Sequence, residues 1–310
     1  LSEKLSVELD QGQSYELEKD VIVVTSRDIE EKDQADVAED FMKKLQTKSF
    51  EENLAEHTAT WKKRWETSDV EIDGDAAAQQ GIRFNILQLF MTYYGEDERL
   101  NVGPKGFTGE KYGGATYWDT EAFIVPMYLA ITKPSVTKAL LQYRHNQLPG
   151  AYHNAKEQGL PGALFPMVTF NGIECHNEWE ITFEEIHRNA DIPHAIAMYT
   201  EYTGDDSYVK NEGMDVLVGT ARFWAARVHW SKWRNKYVMH GVTGPNEYEN
   251  NVNNNWFTST MARWLLKYTL ERLPLATKEA QERVHVTEEE KEKWQDIVDK
   301  IYLPCLLYTS

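Results

Sequence analysis

The sequence predicts a mainly α fold that follows a short β segment, and three observations support this prediction. From Asp75 onward, apolar residues recur at the three- and four-residue spacing of amphipathic helices. Residues 5–25 instead alternate between apolar and polar side chains, as half-buried strands do. Long polar loops separate the helices, and ordered loops of this length on a helical scaffold are common locations of binding sites.

The composition excludes several classes of function. The chain has 310 residues and a formal net charge of −17, which disfavours nucleic acid and anionic membranes as partners. Its longest apolar run, Ala122–Ile131, contains Pro126 and is too short to cross a bilayer. Only two cysteines are present, and the first residues show no signal-peptide pattern, so a cytoplasmic location is expected.

The first segment predicts a β-hairpin from the alternation in Leu5–Leu9 and Tyr15–Thr25. Because two strands are not stable alone, we expect residues 1–27 to be the end of an N-terminal β domain. The helical spacing that follows predicts a linker over residues 28–72, with helices at Gln34–Lys48 and Phe50–Glu66.

Residues 73–304 predict a series of paired helices. The expected helices are Asp75–Tyr94, Asp119–Thr132, Val136–Gln158, Phe183–Tyr202, Tyr208–His229, Asn255–Leu273 and Glu288–Ile301. The dipeptide Pro149-Gly150 predicts an interruption within the third of these. Residues 305–310 fit no preceding pattern and are interpreted as a non-native tail outside the fold.

The loop Met239–Asn255 contains the candidate catalytic acid, Glu247. The preceding Gly244-Pro245 pair breaks regular structure and stiffens the backbone, so it can hold the Glu247 side chain in one direction. Six asparagines in this loop offer uncharged donors and acceptors that suit sugar hydroxyls. Asparagines equally suit turns and helix caps, for example a cap on the helix that starts near Trp256, and the residues leave both readings open.

A second loop, Asn101–Glu121, places an indole beside a carboxylate at Trp118-Asp119. The ring can stack on a sugar, and the carboxylate can accept hydrogen bonds from two hydroxyls. The alternative is that Asp119 or Thr120 only caps the following helix. The five glycines of this loop lack the spacing of a phosphate-binding Walker motif, which argues against a nucleotide site.

A third loop, Cys175–Glu180, contains His176, Asn177, Glu178 and Trp179. Its spacing does not match the two-histidine helix of zinc proteases, so no metal site is expected. A polar ring around a neutral substrate is the better interpretation. Other histidines fall within helical patterns and are expected in the core or at the surface, namely His187, His194 and His229.

Five motifs, in this order along the chain, resemble glycoside hydrolase family 65, which contains maltose, trehalose and kojibiose phosphorylases. The motifs are Gly106–Glu110, Tyr117–Glu121, His176–Glu180, Ala221–Trp224 and Gly244–Tyr248. The resemblance covers nearly all of residues 1–304, and residues 173–189 are most similar to the maltose phosphorylases. It implies an N-terminal β-sandwich, a helical linker and an α/α toroid of six helical hairpins, of which this chain resembles about half, before a C-terminal β-sheet cap.

The resemblance also implies an activity: inverting phosphorolysis of maltose to β-glucose 1-phosphate and glucose, with inorganic phosphate as co-substrate and no cofactor. Glu247 would be the general acid, and Trp118 and Asp119 would hold the transferred glucose. The loop with His176, Asn177, Glu178 and Trp179 would lie near the leaving sugar. The phosphate-binding residues of the family lie beyond the position of Pro304, so they are unknown here, and the chain alone is expected to be inactive.

Other readings stay open. The substrate could be trehalose or kojibiose, the enzyme a related α-glucoside hydrolase, or the protein a non-catalytic carbohydrate-binding protein. An inverting hydrolase needs a second carboxylate to activate water, whereas phosphate is already an anionic nucleophile. In either enzyme the acid must be protonated near neutral pH, which requires burial or a neighbouring negative charge. Some family members are dimers, which leaves a homodimer open.

Overall fold

Helices dominate the computed structural model, which describes residues 4–95, 97–106, 112–175 and 180–304. The chain divides into two compact units, residues 1–66 and 67–310. Within the described residues, no helix combines the length and the apolarity that a membrane span requires.

The first unit contains α1 (Gln34–Leu45) and most of α2 (Phe50–Ser68), after one 3-10 turn at Glu31–Asp33. The two helices predicted at Gln34–Lys48 and Phe50–Glu66 are therefore formed, with small differences at their ends. The β-hairpin predicted before it is not formed in the described part of this segment. Gln13 N–H does donate to the Asp10 carbonyl at 3.0 Å and closes a turn, but no ladder follows.

The missing hairpin has a physical reason. The apolar side chains of its alternating pattern stay largely exposed, and Val23 is 81% accessible to solvent. A two-stranded ribbon whose apolar face is not covered is marginal in water, because its few ladder bonds do not offset the entropy of ordering the chain.

The second unit is built from helices linked by long loops. Its helices are α3 (Ala76–Thr92), α4 (Val125–Ile131), α5 (Pro134–Asn146), α6 (Leu148–Glu157), α7 (Ile181–Glu184), α8 (Arg188–Thr203), α9 (Ser207–Lys210), α10 (Glu212–Arg227), α11 (Trp256–Arg272), α12 (Lys278–Val284) and α13 (Glu288–Lys300). Strand β1 (His229–Ser231) pairs antiparallel with β2 (Lys236–Val238), and His229 lies opposite Val238. Single 3-10 turns occur at Tyr112–Gly114 and Leu273–Leu275.

The predicted helices form in this unit, but several break elsewhere than expected. The interruption expected at Pro149-Gly150 occurs at Gln147, because a proline is tolerated in the first turn of a helix and Pro149 occupies that turn in α6. The helix predicted from Phe183 begins only at Arg188. The helix predicted over Tyr208–His229 breaks at Asn211 and ends at Arg227, and the short β1–β2 pair beyond it was not predicted.

The core of the second unit lies where α8, α10 and α11 pack against each other and where α8 and α10 also pack against α5. Phe223 and Trp224 of α10 are completely buried there. The three long loops lead directly into the π-helical turn Thr120–Ile124, into α7 and α8, and into α11. The buried helices therefore hold the ends of the loops that carry the candidate site residues.

Candidate active site

Two of the three loops, Asn101–Glu121 and Met239–Asn255, contribute residues to one pocket with a volume of about 290 Å³, and the segment that precedes the third loop adds Met167 and Val168. The pocket is lined by Pro104, Lys105, Tyr112, Tyr117, Trp118, Asp119, Met167, Val168 and Glu247. Trp118, Asp119 and Glu247, three candidates named from the sequence, thus face the same cavity. The other four candidates, His176, Asn177, Glu178 and Trp179, lie outside the described residues.

Two loops of the pocket wall are joined through their backbones. Thr116 N–H donates to the Thr169 carbonyl at 2.8 Å, and Thr169 N–H donates back to the Thr116 carbonyl at 3.1 Å. The Glu174 carboxylate accepts from Met167 N–H at 2.5 Å and from Val168 N–H at 3.1 Å. These bonds satisfy the backbone of an irregular segment and hold it beside Trp118.

A buried ion pair fixes the chain on either side of Trp118-Asp119. Arg144 of α5 donates to both carboxylate oxygens of Glu121, at 2.7 and 2.9 Å, and the two side chains are 2% and 1% exposed. The same guanidinium donates to the Tyr117 carbonyl at 2.8 Å. Because one rigid cation binds the residue before the indole and the second residue after Asp119, the orientation of both pocket residues is constrained.

Asp119 does not act as a helix cap. It precedes the π-helical turn Thr120–Ile124, and its side chain makes no capping hydrogen bond. The Thr120 hydroxyl is buried and lies 2.5 Å from the Val102 carbonyl, so it does not cap either. Burial raises the pKa of Asp119, the charge of Glu185 adds to this effect, and Lys105 opposes it. Single π-helical turns often occur at functional sites, as at this pocket.

Sequence reasoning placed His187 in the core or at the surface and missed its contact with the site. The imidazole is fully buried and packs edge-on against Trp118, with ring centroids 4.8 Å apart. Nδ1 lies 2.5 Å from Asp191 Oδ2, and Nε2 lies 3.1 Å from Glu185 Oε1. Burial lowers the pKa of His187, but hydrogen bonds to Asp191 and Glu185 outweigh it and raise the pKa overall.

Glu185, His187 and Asp191 form a buried cluster beside Trp118. The spacing of its charged residues in the sequence could have revealed this cluster. Acidic residues stand two positions before and four positions after His187, and the latter spacing places Asp191 on the same helical face. A histidine with a carboxylate on each ring nitrogen is held in one orientation, since both nitrogens then donate. The cluster therefore holds the His187 ring in place against the indole of Trp118.

The corner predicted at Gly244-Pro245 is formed. Glu247 N–H donates to the Gly244 carbonyl at 3.1 Å, which closes a turn with Pro245 and Asn246 at its centre. Glu247 itself has a φ of 55°, a left-handed conformation that costs free energy for a residue with a side chain. Such conformations persist where the surroundings enforce them, and here the residue lines the same pocket as Trp118 and Asp119.

The asparagines of this loop serve its own structure. The Asn255 side chain caps α11 by accepting from Thr258 N–H at 3.0 Å. Asn254 Oδ1 accepts from Met239 N–H at 3.0 Å, and Asn253 Oδ1 lies 3.0 Å from His240 Nδ1. Helix capping, part of one of the two readings that the sequence left open, therefore accounts for Asn255, whereas Asn253 and Asn254 join the two ends of the loop.

The electrostatic setting of Glu247 favours its protonated form. Burial raises the pKa of Glu247, and the charges of Glu185 and Asp119 raise it further, while His187 opposes them. Glu247 is nevertheless an exposed residue, so its proton can be exchanged with solvent. A carboxyl with a raised pKa beside an indole and a second carboxylate has the properties of a general acid in a carbohydrate site.

The described residues contain no group of three histidine, cysteine, aspartate or glutamate side chains arranged to hold a metal ion. The chemistry that the described lining offers is thus proton transfer by Glu247, hydrogen bonding by Asp119, stacking on Trp118 and the single cation of Lys105.

Comparison with known proteins gives consistent results. Residues 83–306 match the model of the glycosyl hydrolase family 65 central catalytic domain, and residues 1–64 match the N-terminal domain of the same family. A maltose phosphorylase from Bacillus subtilis is 57% identical over 93% of this chain and 38% of its own length. A kojibiose phosphorylase from Halothermothrix orenii is 34% identical over 96% of this chain and 42% of its own length.

The fold agrees as well. A solved structure, provisionally named as a kojibiose phosphorylase from human microbiome, superimposes with a TM-score of 0.82 at 30% identity, over 87% of this chain and 40% of that one. The chain therefore spans about two fifths of the relatives that it matches. The match over 83–306, the 57% identity and the shared helical fold show that the chain belongs to glycoside hydrolase family 65.

Proposed function

We propose that this chain is part of an inverting disaccharide phosphorylase that converts maltose and inorganic phosphate into β-glucose 1-phosphate and glucose. The observation that carries the proposal is the meeting of Trp118, Asp119 and Glu247 in one pocket. The 57% identity to a maltose phosphorylase, against 34% to a kojibiose phosphorylase and 35% to a trehalose phosphorylase from Thermoanaerobacter brockii, favours maltose as the substrate.

In this mechanism Glu247 is the general acid. Its proton passes to the glycosidic oxygen as the bond from that oxygen to the anomeric carbon breaks. A phosphate oxygen forms the new bond on the opposite face of the ring, which inverts the configuration. One carboxyl is sufficient, because phosphate needs no base to become a nucleophile. The negative charges of Glu185 and Asp119 raise the pKa of Glu247, which favours the protonated form that this step needs.

The remaining pocket residues bind the sugars in this proposal. Trp118 supplies a stacking face for the glucose that is transferred, and the Asp119 carboxylate accepts from its hydroxyls. The loop with His176, Asn177, Glu178 and Trp179 selects the leaving sugar. We further propose that residues 73–304 form about half of an α/α toroid, after residues 1–27 of a β-sandwich and a linker at 28–72.

The proposal extends to the second substrate and the assembly. Phosphate-binding groups come from residues outside 1–304, with no further cofactor, and the complete protein works in the cytoplasm. Phosphate carries negative charge into a pocket with two carboxylates, so it needs cations beyond Lys105, the one cation in the described lining. A homodimer is compatible with the proposal.

The test uses the complete protein that contains this chain. Wild type is expected to consume phosphate with maltose and to form β-glucose 1-phosphate, while Glu247→Gln lowers kcat about 10²- to 10⁴-fold, the usual contribution of a general acid. Glu249→Gln is the matched control, because Glu249 is exposed and two residues away in the same loop. A Glu247→Gln variant with the wild-type rate would contradict the role of Glu247.

A panel of substrates separates the other readings. Phosphate consumption with trehalose or kojibiose, but not with maltose, would move the protein to another phosphorylase. Glucose release without phosphate consumption would indicate a hydrolase. Sugar binding that survives Glu247→Gln without any turnover by the wild type would indicate a binding protein.

A further inference from the structure

The loop that carries Glu247, residues 239–255, has little regular structure of its own, and we call it the acid loop. Its two ends are joined where Asn254 N–H donates to the Met239 carbonyl at 2.7 Å and, further along the loop, where Val242 and Val252 exchange backbone hydrogen bonds of 2.9 Å. Beyond this junction the chain from Thr243 to Asn251 turns at Gly244-Pro245 and is largely exposed. A loop of this kind needs an anchor outside itself if Glu247 is to keep a fixed position.

Glu184, the last residue of α7, supplies such an anchor. Its Oε2 atom lies 2.9 Å from the Thr243 hydroxyl and accepts from Asn251 N–H at 2.6 Å. Its backbone carbonyl also accepts from Thr243 N–H at 3.0 Å. Glu184 therefore binds the acid loop at two positions, Thr243 and Asn251, which lie four residues before and four residues after Glu247.

Glu184 is itself held rigidly. The fully buried guanidinium of Arg188 donates to the carbonyls of Thr182 at 2.9 Å, Glu185 at 2.6 Å and Phe165 at 2.9 Å. Its three donors thus fix the backbone on both sides of Glu184. Bonds from a charged donor to buried carbonyls are among the stronger hydrogen bonds in proteins.

The same short segment also supports the opposite wall of the pocket. His187, three residues after Glu184, packs on Trp118 with ring centroids 4.8 Å apart. Residues 184–187 therefore contact the acid loop at one end and the indole at the other. The distance between Glu247 and Trp118 is set through this segment, although Glu184 is not part of the pocket lining.

We propose that Glu184 is a positioning residue that clamps the acid loop so that the Glu247 carboxyl stays over the glycosidic oxygen. The inference rests on the proposed function of Glu247. Loss of the clamp leaves Trp118 and Asp119 in place, so sugar binding persists while proton transfer suffers. A displacement of about 1 Å in a catalytic group lowers rates by about 100-fold.

The test compares Glu184→Ala with Glu184→Gln in the complete protein. Glutamine keeps an oxygen that can accept from Asn251 N–H and the Thr243 hydroxyl, whereas alanine has none. On maltose we expect the alanine variant to lose about 10- to 100-fold in kcat with a KM within about threefold of wild type. The glutamine variant is expected to recover most of this loss.

α-Glucosyl fluoride adds a readout that a general loss of structure would not change selectively. Fluoride departs with little help from an acid, so a misplaced Glu247 matters less for this substrate. The kcat of Glu184→Ala is expected to fall much less with the fluoride than with maltose, as it should for Glu247→Gln. Thr243→Val and Thr243→Ser form a second matched pair, in which only serine keeps the hydroxyl.

Equal losses on maltose and on the fluoride, or a change confined to KM, would overturn the clamp. So would a Glu184→Ala variant with the wild-type rate, or a glutamine variant as slow as alanine. A Glu247→Gln variant that retains full activity on maltose would instead refute the proposed function, so the two failures are distinguishable. Should Glu184→Ala fail to fold, the Thr243 pair carries the same test.

Discussion

Glu247 shows how a carboxyl on an exposed loop can have a raised pKa. Its carboxyl is only partly covered, yet burial and two carboxylates, Glu185 and Asp119, raise its pKa. Glu185 is completely buried, so water screens its charge less than it would screen a surface charge. His187 partly offsets Glu185, because it shares a hydrogen bond with it. The pKa of Glu247 therefore depends on the opposing charges of Glu185 and His187.

This balance predicts a pH dependence for the complete protein. A general acid works while it is protonated, so activity is present below the raised pKa of Glu247 and is lost as pH rises through it. Glu185→Gln removes a negative charge and leaves the positive charge of His187 less compensated, so the pKa of Glu247 falls. The alkaline limb of kcat against pH is expected to move to lower pH.

The measurement is a kcat–pH profile with saturating maltose and phosphate. Glu249→Gln serves as the control, since it removes an equal charge from an exposed position of the acid loop. Its alkaline limb should coincide with that of the wild type. An alkaline limb of Glu185→Gln that stays in place or moves upward would contradict the electrostatic role of Glu185.

At the scale of elements, the pocket wall depends on an ion pair between α5 and the π-helical turn. The Glu121 carboxylate and the Arg144 guanidinium are almost completely buried and bind each other through two hydrogen bonds. Removing one partner leaves the other charge buried and uncompensated, which costs about 3–5 kcal/mol in comparable proteins. The intact pair thus adds little to the free energy of unfolding, but removing one partner lowers this free energy strongly.

Arg144→Met is accordingly expected to lower the free energy of unfolding by about 3–5 kcal/mol. Chemical denaturation followed by circular dichroism measures this difference. Lys291→Met is a suitable control, because Lys291 pairs with Glu288 at the surface, and its loss should have little effect. A stability of Arg144→Met close to that of the control would show that Glu121 finds another partner or a proton.

The sequence predicted those helices whose formation depends on neighbouring residues in the chain. Apolar spacing predicted α3 and α11, and both begin at caps that the sequence supplies, Asp75 and Asn255. It could not predict the Arg144–Glu121 pair, whose members are separated by a turn and most of two helices. The prediction of a hairpin at residues 5–25 was wrong for a similar reason. Alternation shows which face of a strand is apolar, but not whether another element packs on that face.

The same limit applies to the site. Trp118, Asp119 and Glu247 were recognisable because unusual residues stand in long loops, and the structure places them around one pocket. Glu184 and Arg188 were not recognisable, because their role consists of bonds to backbone groups of distant segments. Backbone acceptors and donors have no signature in the side-chain sequence, so residues that position a site are harder to predict than residues that line it.

On the scale of the whole molecule, the described residues leave sizeable apolar side chains uncovered. In the second unit, Phe123 and Tyr202 are 64% and 65% exposed, and Leu129 of α4 and Met198 of α8 line an open apolar cleft beside Tyr202. Isolated exposed aromatics are normal, but a cleft of this kind usually marks a contact surface. The relatives are about two and a half times longer than this chain.

The last prediction concerns the 310-residue chain by itself. Its described pocket offers about 290 Å³, a single indole face and two carboxyl groups, and Glu247 is exposed to solvent. Tight small-molecule sites usually enclose most of their ligand in about 300–1,000 Å³. We therefore expect the chain alone to bind maltose no more tightly than about 1 mM, and to show no phosphorolysis.

Isothermal titration of the chain with maltose, alongside the complete protein with and without phosphate, measures the difference. The complete protein should bind more tightly if, as proposed above, residues outside this chain supply the charges that hold phosphate. Trp118→Ala in the chain is the control for the site itself, and it should abolish the weak signal. Micromolar binding of maltose by the isolated chain would mean that residues 1–310 already form the whole sugar site. The proposal that tight binding needs residues outside this chain would then be wrong.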